Sequence, residues 1–334
     1  MKKETLSTIA HRTGFSISTI SRVLSGKAEQ YRICDSTVKA IKEEARKCHY
    51  SPDVVARSLR TRRTYTIGLL VPEIQNPFFA NISSIVIQRA KEKGYNIIVA
   101  DSMEKEENEI QAIRDFISRK VDGIIIVPVG QNPSYLEEIN KFTPIILIDR
   151  YYNNTDLQYV GSDNFAGAYM ATEHLVSKGY RNIMVIQGVN VSTTNQERVR
   201  GHLAALKKFG TAQTKIDGES FSIENGYKVA KQAIASDPAP DAIYAFSNTI
   251  MLGALKAIKE AGKNIPQDIA LISFDNNNYL DYLDPPVTRI AQPIEKIGQI
   301  ATDRLIKRIS GKSSASEEEL CHRITPYLIV GKSC

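Results

Sequence analysis

Ile17, Ser18, Ser21 and Arg22 fall at the spacing that sets side chains on one face of an α-helix. Arg22 carries the planar fork of donors that matches O6 and N7 of guanine, and Ile17 offers apolar contact of the kind a thymine methyl accepts. Ser16, Thr19 and Ser21 suit phosphate oxygens, which fix register without reading a base. Thr5 and Leu6, at the start of the preceding helix, complete this candidate DNA-contacting set. A second group lies further along the chain: Asn76, Phe78, Phe79, Asp149, Arg150, Arg198, Asn248, Asp275 and Gln292. Carboxylates, guanidinium groups and amides pair with vicinal hydroxyls, and aromatic faces cover the apolar faces of a sugar ring, so these types together suit a small sugar.

The elements that must position the first group are short helices. Thr5 is placed to cap a helix carrying Leu6, Ile9 and Ala10 as an apolar stripe, and Gly14 permits a tight turn after it. Ser16 caps the second helix, whose Ile20, Val23 and Leu24 face inward. A third helix over 36–48, capped by Asp35, closes the small core with Val38, Ile41 and Ala45. Two helices about a glycine turn, with a polar outer face on the second, form a helix-turn-helix reader of the major groove. Ser51, Pro52 and Asp53 then start another short helix, which is marginal in isolation.

Charge follows the same division. Residues 1–65 hold fourteen Lys and Arg against six Asp and Glu, a net +8, whereas the whole 334-residue chain is +6, leaving −2 for the rest. A basic head on a near-neutral body is what phosphate binding requires. Cys34, Cys48, Cys321 and Cys334 form no C-x-x-C pair and no zinc spacing, so they read as ordinary thiols in a reducing compartment, with no metal and no cofactor. The first residues lack the apolar stretch of a signal peptide, and no apolar run nears the roughly 18 residues of a membrane span. The expectation is a cytoplasmic protein without membrane contact.

From Tyr65 buried strands alternate with amphipathic helices: TIGLLVP, YNIIVAD, VDGIIIVPV and PIILIDR, then QYVGSDN, NIMVIQG, AIYAFS and IALISFD. The pattern predicts two doubly wound parallel-sheet α/β lobes in series, with a cleft between them. Ligands in open α/β sheets bind outside the carboxyl ends of strands. Asn76 to Phe79, Asp149 and Arg150, Ser162 to Asn164, Ser247 and Asn248, and Phe274 and Asp275 all follow strands, with Arg198 in the second lobe and Gln292 at the crossover.

TLSTIAHRTGFSISTISRVLSG followed by YSPDVVARSLRTRRTYTIGLLVP resembles the start of the LacI/GalR family of transcription regulators, and the likeness continues to the C-terminus. The resemblance implies paired hinge helices that put Leu59 into the minor groove as a wedge, with Ala56 packed beside it and Arg60 as a further minor-groove contact. Such wedges unstack a base step and bend the duplex. It implies a DNA-binding domain over 1–50, a hinge over 51–64 and a core over 65–334. Within that core, lobe 1 covers about 65–161 and 293–322, and lobe 2 about 162–292 and 323–334. The loop 26–35, with Tyr31 and Arg32, is longer than the family pattern, so loop contacts to DNA do not carry over.

The body is also similar to periplasmic sugar-binding proteins through NPFF at 76–79, IDR at 148–150, the stretch 198–201 and FDN at 274–276. That likeness implies that Phe78, Phe79, Asp149, Arg150, Arg198, Asp275 and Gln292 line an effector cleft, together with Asn76, Phe221 and Asn248. Ser247-Asn248 replaces a pair that in relatives often ends in a carboxylate. The expected function is a repressor that binds a palindromic double-stranded operator as a homodimer, its affinity modulated by a sugar or sugar-like effector. The chain ends at PYLIVGKSC, without the leucine heptads that would join dimers into tetramers. A solute-binding protein of a transport system would leave the basic head unused. An enzyme is not expected, because the five histidines accompany no nucleophile elbow, H-E-x-x-H or P-loop. The same regulator working with a corepressor, or as an activator, fits the residues equally.

Overall fold

The computed structural model describes residues 4–48, 50, 63–210, 213–311 and 320–334. The chain divides into two units, Met1–Thr64 and Tyr65–Cys334. The first holds helices α1 (Leu6–Thr13), α2 (Ile17–Leu24) and α3 (Asp35–Lys47). Thr5 and Thr8 cap α1 reciprocally, each hydroxyl accepting the other's backbone N–H at 3.3 Å, and Gly14 ends it at φ +71°. Ser16 caps α2 by accepting from the Thr19 N–H at 3.1 Å. Ile9, Ile20, Val23, Ile41 and Ala45 form the buried core, with Leu6, Leu24 and Val38 packed against it. Arg12 pairs with Glu4, just before α1, at 2.9 Å and ties the first helix to the third through Glu44 at 3.5 Å.

The third helix starts one residue earlier than its sequence suggests. Asp35 is its first residue and not its cap, and Cys34 takes the N-cap position without a capping bond. Asp35 there still faces the positive end of the helix, which serves its charge as well as capping would. The Cys34 thiol lies 3.3 and 3.1 Å from the Ser36 and Thr37 hydroxyls, which hold its pKa down to about 7. The expected hinge residues Ala56, Leu59 and Arg60 lie outside the described residues.

The second unit opens with β1 (Thr66–Val71), α4 (Pro77–Glu92), β2 (Asn96–Asp101), α5 (Glu106–Ser118), β3 (Gly123–Ile126), α6 (Ser134–Asn140), β4 (Ile145–Ile148) and β5 (Gln158–Ser162). It crosses to α7 (Asn164–Ser177), β6 (Asn182–Ile186), α8 (Thr193–Phe209), β7 (Gln213–Asp217), α9 (Ile223–Ile234), β8 (Ala242–Ala245), α10 (Asn248–Glu260), β9 (Ala270–Phe274) and β10 (Thr288–Ala291). It returns through α11 (Ile294–Ile309) and β11 (Cys321–Ile324), then ends on β12 (Tyr327–Ile329).

Two six-stranded sheets result, ordered β2-β1-β3-β4-β5-β11 and β7-β6-β8-β9-β10-β12. The windings are the same. All pairings are parallel except β10 with β12, an antiparallel edge. Central strands β1, β3, β4, β8 and β9 are buried almost throughout, as largely apolar strands covered on both faces must be. Helix α11 packs on α4 and on β3, β4 and β5, so the first lobe is completed only after the second is built. Arg308 fixes it there by donating to the Ile145 carbonyl and Asn140 at 2.7 and 2.8 Å. In the second lobe α7 and α8 approach closely at Gly201, where an added Cβ would stand 2.2 Å from the Phe165 carbonyl oxygen. Among the described residues no helix is long and apolar enough to cross a membrane.

Candidate functional site

The carboxyl ends of the strands converge on one cavity. It is lined by Asn76, Phe78, Phe79, Asp149, Arg150, Thr194, Arg198, Phe221, Ser247, Asp275 and Gln292. Nine of the ten residues that the sequence nominates for the effector are therefore together in the structure, drawn from both lobes.

Local chemistry places each of them. Asn76 caps α4 by accepting from the Phe78 N–H at 3.0 Å, and Pro77 holds the first helical position, so Phe78 and Phe79 are fixed in the first turn. Their rings pack edge to face, centroids 5.2 Å apart, and belong both to the first lobe's core and to the cavity wall. Asp149, directly after β4, is left-handed at φ +62°. Its neighbour Arg150 donates to both oxygens of Glu104 at 2.7 and 2.6 Å. From α8, Arg198 donates through Nε to Asn164 at 2.8 Å and through Nη1 to the Phe246 carbonyl, with its guanidinium 3.8 Å from the Phe274 ring centre. Phe221 lies 6.0 Å from the same guanidinium. Asp275, left-handed at φ +76° after β9, accepts from Gln292 on the crossover.

Asn248 does not line the cavity. Ser247, one residue earlier, caps α10 and faces the space, while Asn248 is buried behind it. With its amide nitrogen toward the Phe274 and Asp275 carbonyls, at 3.0 and 3.2 Å, and its oxygen toward Asn277 at 2.7 Å, it braces the Asp275 turn. Thr194 and Glu104 escaped the sequence reading. Thr194 follows Ser192, whose side chain caps α8, and an S-x-T at a helix start facing a strand end is the signal that could have found it. Glu104 follows β2 in a left-handed turn, with no motif around it.

The cavity is acidic and small. Asp149 and Asp275 are buried to 6% exposure, and burial pushes the Asp149 carboxyl up to about 6 despite Arg198 and Arg150, with the Asp275 charge adding to the rise. Burial raises Asp275 too, opposed by Arg198 and the Gln292 bond. Arg150 is answered by Glu104, so the remaining charges are Arg198 against two carboxylates. Among the described residues, Arg150 Nε and Gln292 Oε1 are buried without a partner, a state that costs about 1–3 kcal/mol per group. The free space is about 20 Å³, against the roughly 10–15 Å³ that one water needs, so a sugar enters only if the walls part. Bonds between the described residues hold the walls together, among them Tyr151 N–H to Thr193 Oγ1 and Asn81 Nδ2 to Asn277 Oδ1, both 3.1 Å. A larger groove of about 560 Å³ between β2 and α5 shares no residue with this cluster and gathers no comparable set of buried charges. Among the described residues no three His, Cys, Asp or Glu gather as a metal site.

In the head, Ile17 is half exposed and Ser18 and Arg22 are exposed beside it on α2, with Ser21 partly covered. Ser16, Ser18 and Thr19 share hydroxyl contacts of 2.8 Å at the helix start, where backbone N–H groups and the helix dipole favour an anion. Thr5 is exposed at the start of α1, whereas Leu6 packs against the head's core and not outward. The Arg22 guanidinium lies 4.0 Å from the ring centre of Tyr31, in the long loop.

Residues 64–329 match the family model described as periplasmic binding proteins and sugar binding domain of LacI family. The ribose operon repressor of Halalkalibacterium halodurans is 33% identical, over 92% of this chain and 91% of its own length. The HTH-type transcriptional repressor PurR of Pectobacterium carotovorum subsp. carotovorum is 31% identical, over 98% of this chain and 96% of its own. The crystal structure of the lac repressor dimer bound to operator and an anti-inducer superposes with a TM-score of 0.86, at 22% identity over 99% of both chains, a likeness of fold. With its helix-turn-helix head and two periplasmic-binding-type lobes, the chain belongs to the LacI family of transcription regulators.

Proposed function

We propose that this regulator is a repressor that binds a palindromic operator as a homodimer and is tuned by a small neutral sugar held between its lobes. The observation that carries the reading is the meeting of Asp149 and Asp275, one from each lobe, around Arg198 beneath aromatic rings. Vicinal hydroxyls donate to such carboxylates and accept from the guanidinium. A sugar phosphate would meet two carboxylates with one arginine left to answer it, because Glu104 already occupies Arg150. The name of the ribose operon repressor points to a pentose. The name PurR raises a purine, which the phenylalanines would stack but which has no vicinal diol for the carboxylates.

The division into a reading head over 1–50, a hinge over 51–64 and a sensing core over 65–334 belongs to the same proposal, as does Leu59 as minor-groove wedge with Ala56 and Arg60. A ligand that changes how the lobes meet acts on the hinge, and coupling of this kind is typically about 1–3 kcal/mol, or roughly 5- to 150-fold in operator affinity. The cleft binds and does not catalyse, and the protein works where the DNA is, in the cytoplasm.

The test is calorimetric titration with D-ribose, other pentoses, hexoses, ribose 5-phosphate and purines, followed by operator affinity with and without the ligand that binds. A neutral sugar is expected to bind and to change operator affinity, the sign distinguishing inducer from corepressor. Binding by a purine alone refutes the sugar. A bound sugar that leaves operator affinity unchanged refutes the sensor, and recovery of an altered sugar refutes the non-catalytic reading.

A further inference from the structure

The loop 26–35 is an ordered part of the reading head. Lys27 N–H bonds the Arg22 carbonyl at 2.9 Å, Tyr31 N–H bonds Lys27 at 3.2 Å and Ile33 N–H bonds Ala28 at 2.9 Å. Ala28 and Ile33 pack against the head's core and anchor the loop at two points. Arg32 between them takes φ +50°, a left-handed kink that is uncommon for a residue with a side chain. Tyr31, beside the kink, is therefore held outward at 45% exposure with its ring face toward α2. Against that face lies Arg22, its guanidinium carbon 4.0 Å from the ring centre. Among the described residues Arg22 forms no ion pair, so no carboxylate competes with the ring for its guanidinium.

A guanidinium held over a ring face spends none of its five N–H groups on that contact, so they stay available to other acceptors. The O6 and N7 atoms of guanine accept from such N–H groups, and a long flexible side chain loses affinity when it must be ordered at the moment of contact. We infer that Tyr31 is a specificity-positioning residue: its ring pre-orders Arg22 so that the guanidinium presents its N–H groups to one base pair of the operator. The inference rests on the reading of α2 as the recognition helix. It assigns to a loop residue, which touches no base in this role, part of the sequence preference exercised by Arg22.

The test uses the full-length protein and selection of binding sites from a random double-stranded library, with competition titrations against single-base variants of the selected operator. Arg22→Ala defines the base pair that Arg22 reads. Tyr31→Leu is expected to reduce discrimination at that same pair by about two- to fivefold, the size of an exposed cation–π contact, and to leave other positions and non-specific DNA affinity unchanged. Tyr31→Trp and Tyr31→Phe, which keep a ring face, are expected to retain the preference. In the Arg22→Ala background, Tyr31→Leu should have no further effect. A uniform loss of affinity across all sequences, a loss equal in Tyr31→Phe and Tyr31→Leu, or an undiminished effect without Arg22 overturns the inference, since each marks a hydroxyl contact or a fold defect. If the wild-type protein enriches no sequence at all, the recognition-helix reading fails first and this one with it.

Discussion

Asp149 and Asp275 are the same position in two copies of one design. Each directly follows the fourth strand of its sheet in spatial order, β4 and β9, each takes a left-handed conformation, and each is buried with a carboxyl pushed upward. Left-handed backbone at a non-glycine residue costs about 1–3 kcal/mol, less for aspartate than for most, and it turns the carboxylate out of the strand direction into the space between the lobes.

That placement makes the cleft sensitive to acid. Asp149 has a folded pKa of about 6 against an ordinary value of 3.8, so ionising it opposes folding, and stability falls as pH rises from about 4 to 6. Asp149→Asn should remove that slope and stabilise the core at pH 8 by about 1–3 kcal/mol, at the cost of effector binding. Sugar hydroxyls favour the ionised carboxylate, so effector affinity in the wild type should rise as pH climbs from 5 to 7. Denaturant unfolding and calorimetry over pH 4–8 measure both, and a slope unchanged in the variant would assign it elsewhere.

Glu104 decides what charge the cleft tolerates. Glu104→Gln releases Arg150 from its paired carboxylate and should weaken neutral-sugar binding by about tenfold, because an arginine without its partner is neither ordered nor neutralised. The same change adds a positive charge to the site, so the affinity ratio of ribose 5-phosphate to ribose should increase. Titration of both ligands against both proteins gives the ratio directly.

Gly201 tests whether Arg198 is placed by helix packing. An alanine there would put its Cβ 2.2 Å from the Phe165 carbonyl oxygen and force α8 away from α7. Overpacking of this kind costs about 1–3 kcal/mol, and each kcal/mol lowers the melting temperature by about 2–4 °C in a core of this size. Since Arg198 lies one turn before Gly201 on α8, effector affinity should fall too, while non-specific DNA binding should not.

Two of the bonds across the cleft should set the balance between its arrangements. Thr193→Val removes the acceptor for the Tyr151 N–H, and Asn81→Ala removes the donor to Asn277. Neither residue lines the cavity, yet each substitution should strengthen effector binding by about two- to tenfold, because the walls must part to admit a sugar and a hydrogen bond worth about 0.5–1.5 kcal/mol no longer holds them together. Affinity equal to wild type in the double variant would show that these bonds do not bias the lobes.

Where chain direction alone decides, the sequence was readable. The buried, largely apolar runs of β1, β3, β4, β8 and β9 announce central parallel strands, and whatever follows them must stand at the carboxyl edge, which is how Phe78, Asp149 and Asp275 could be found. Residues placed by one turn of phase were not. Whether Ser247 or Asn248 faces the cleft depends on which of them caps α10, and the same one-residue ambiguity at α3 exchanged Asp35 for Cys34. Strand β7 carries no apolar run, because a sheet edge with alternating exposure needs none. Glu104 owes its place to a long-range ion pair that no local spacing encodes.

The chain passes between the lobes three times, after β5, before α11 and between β11 and β12, with only a few residues in each passage. Three short tethers side by side leave the lobes almost no freedom to translate or twist, so what remains is bending about the line through them. The partner surfaces are thus held at high effective concentration whatever the cleft contains. A handful of weak bonds, which could never hold two separate molecules together, is enough to choose between two arrangements of one hinged body.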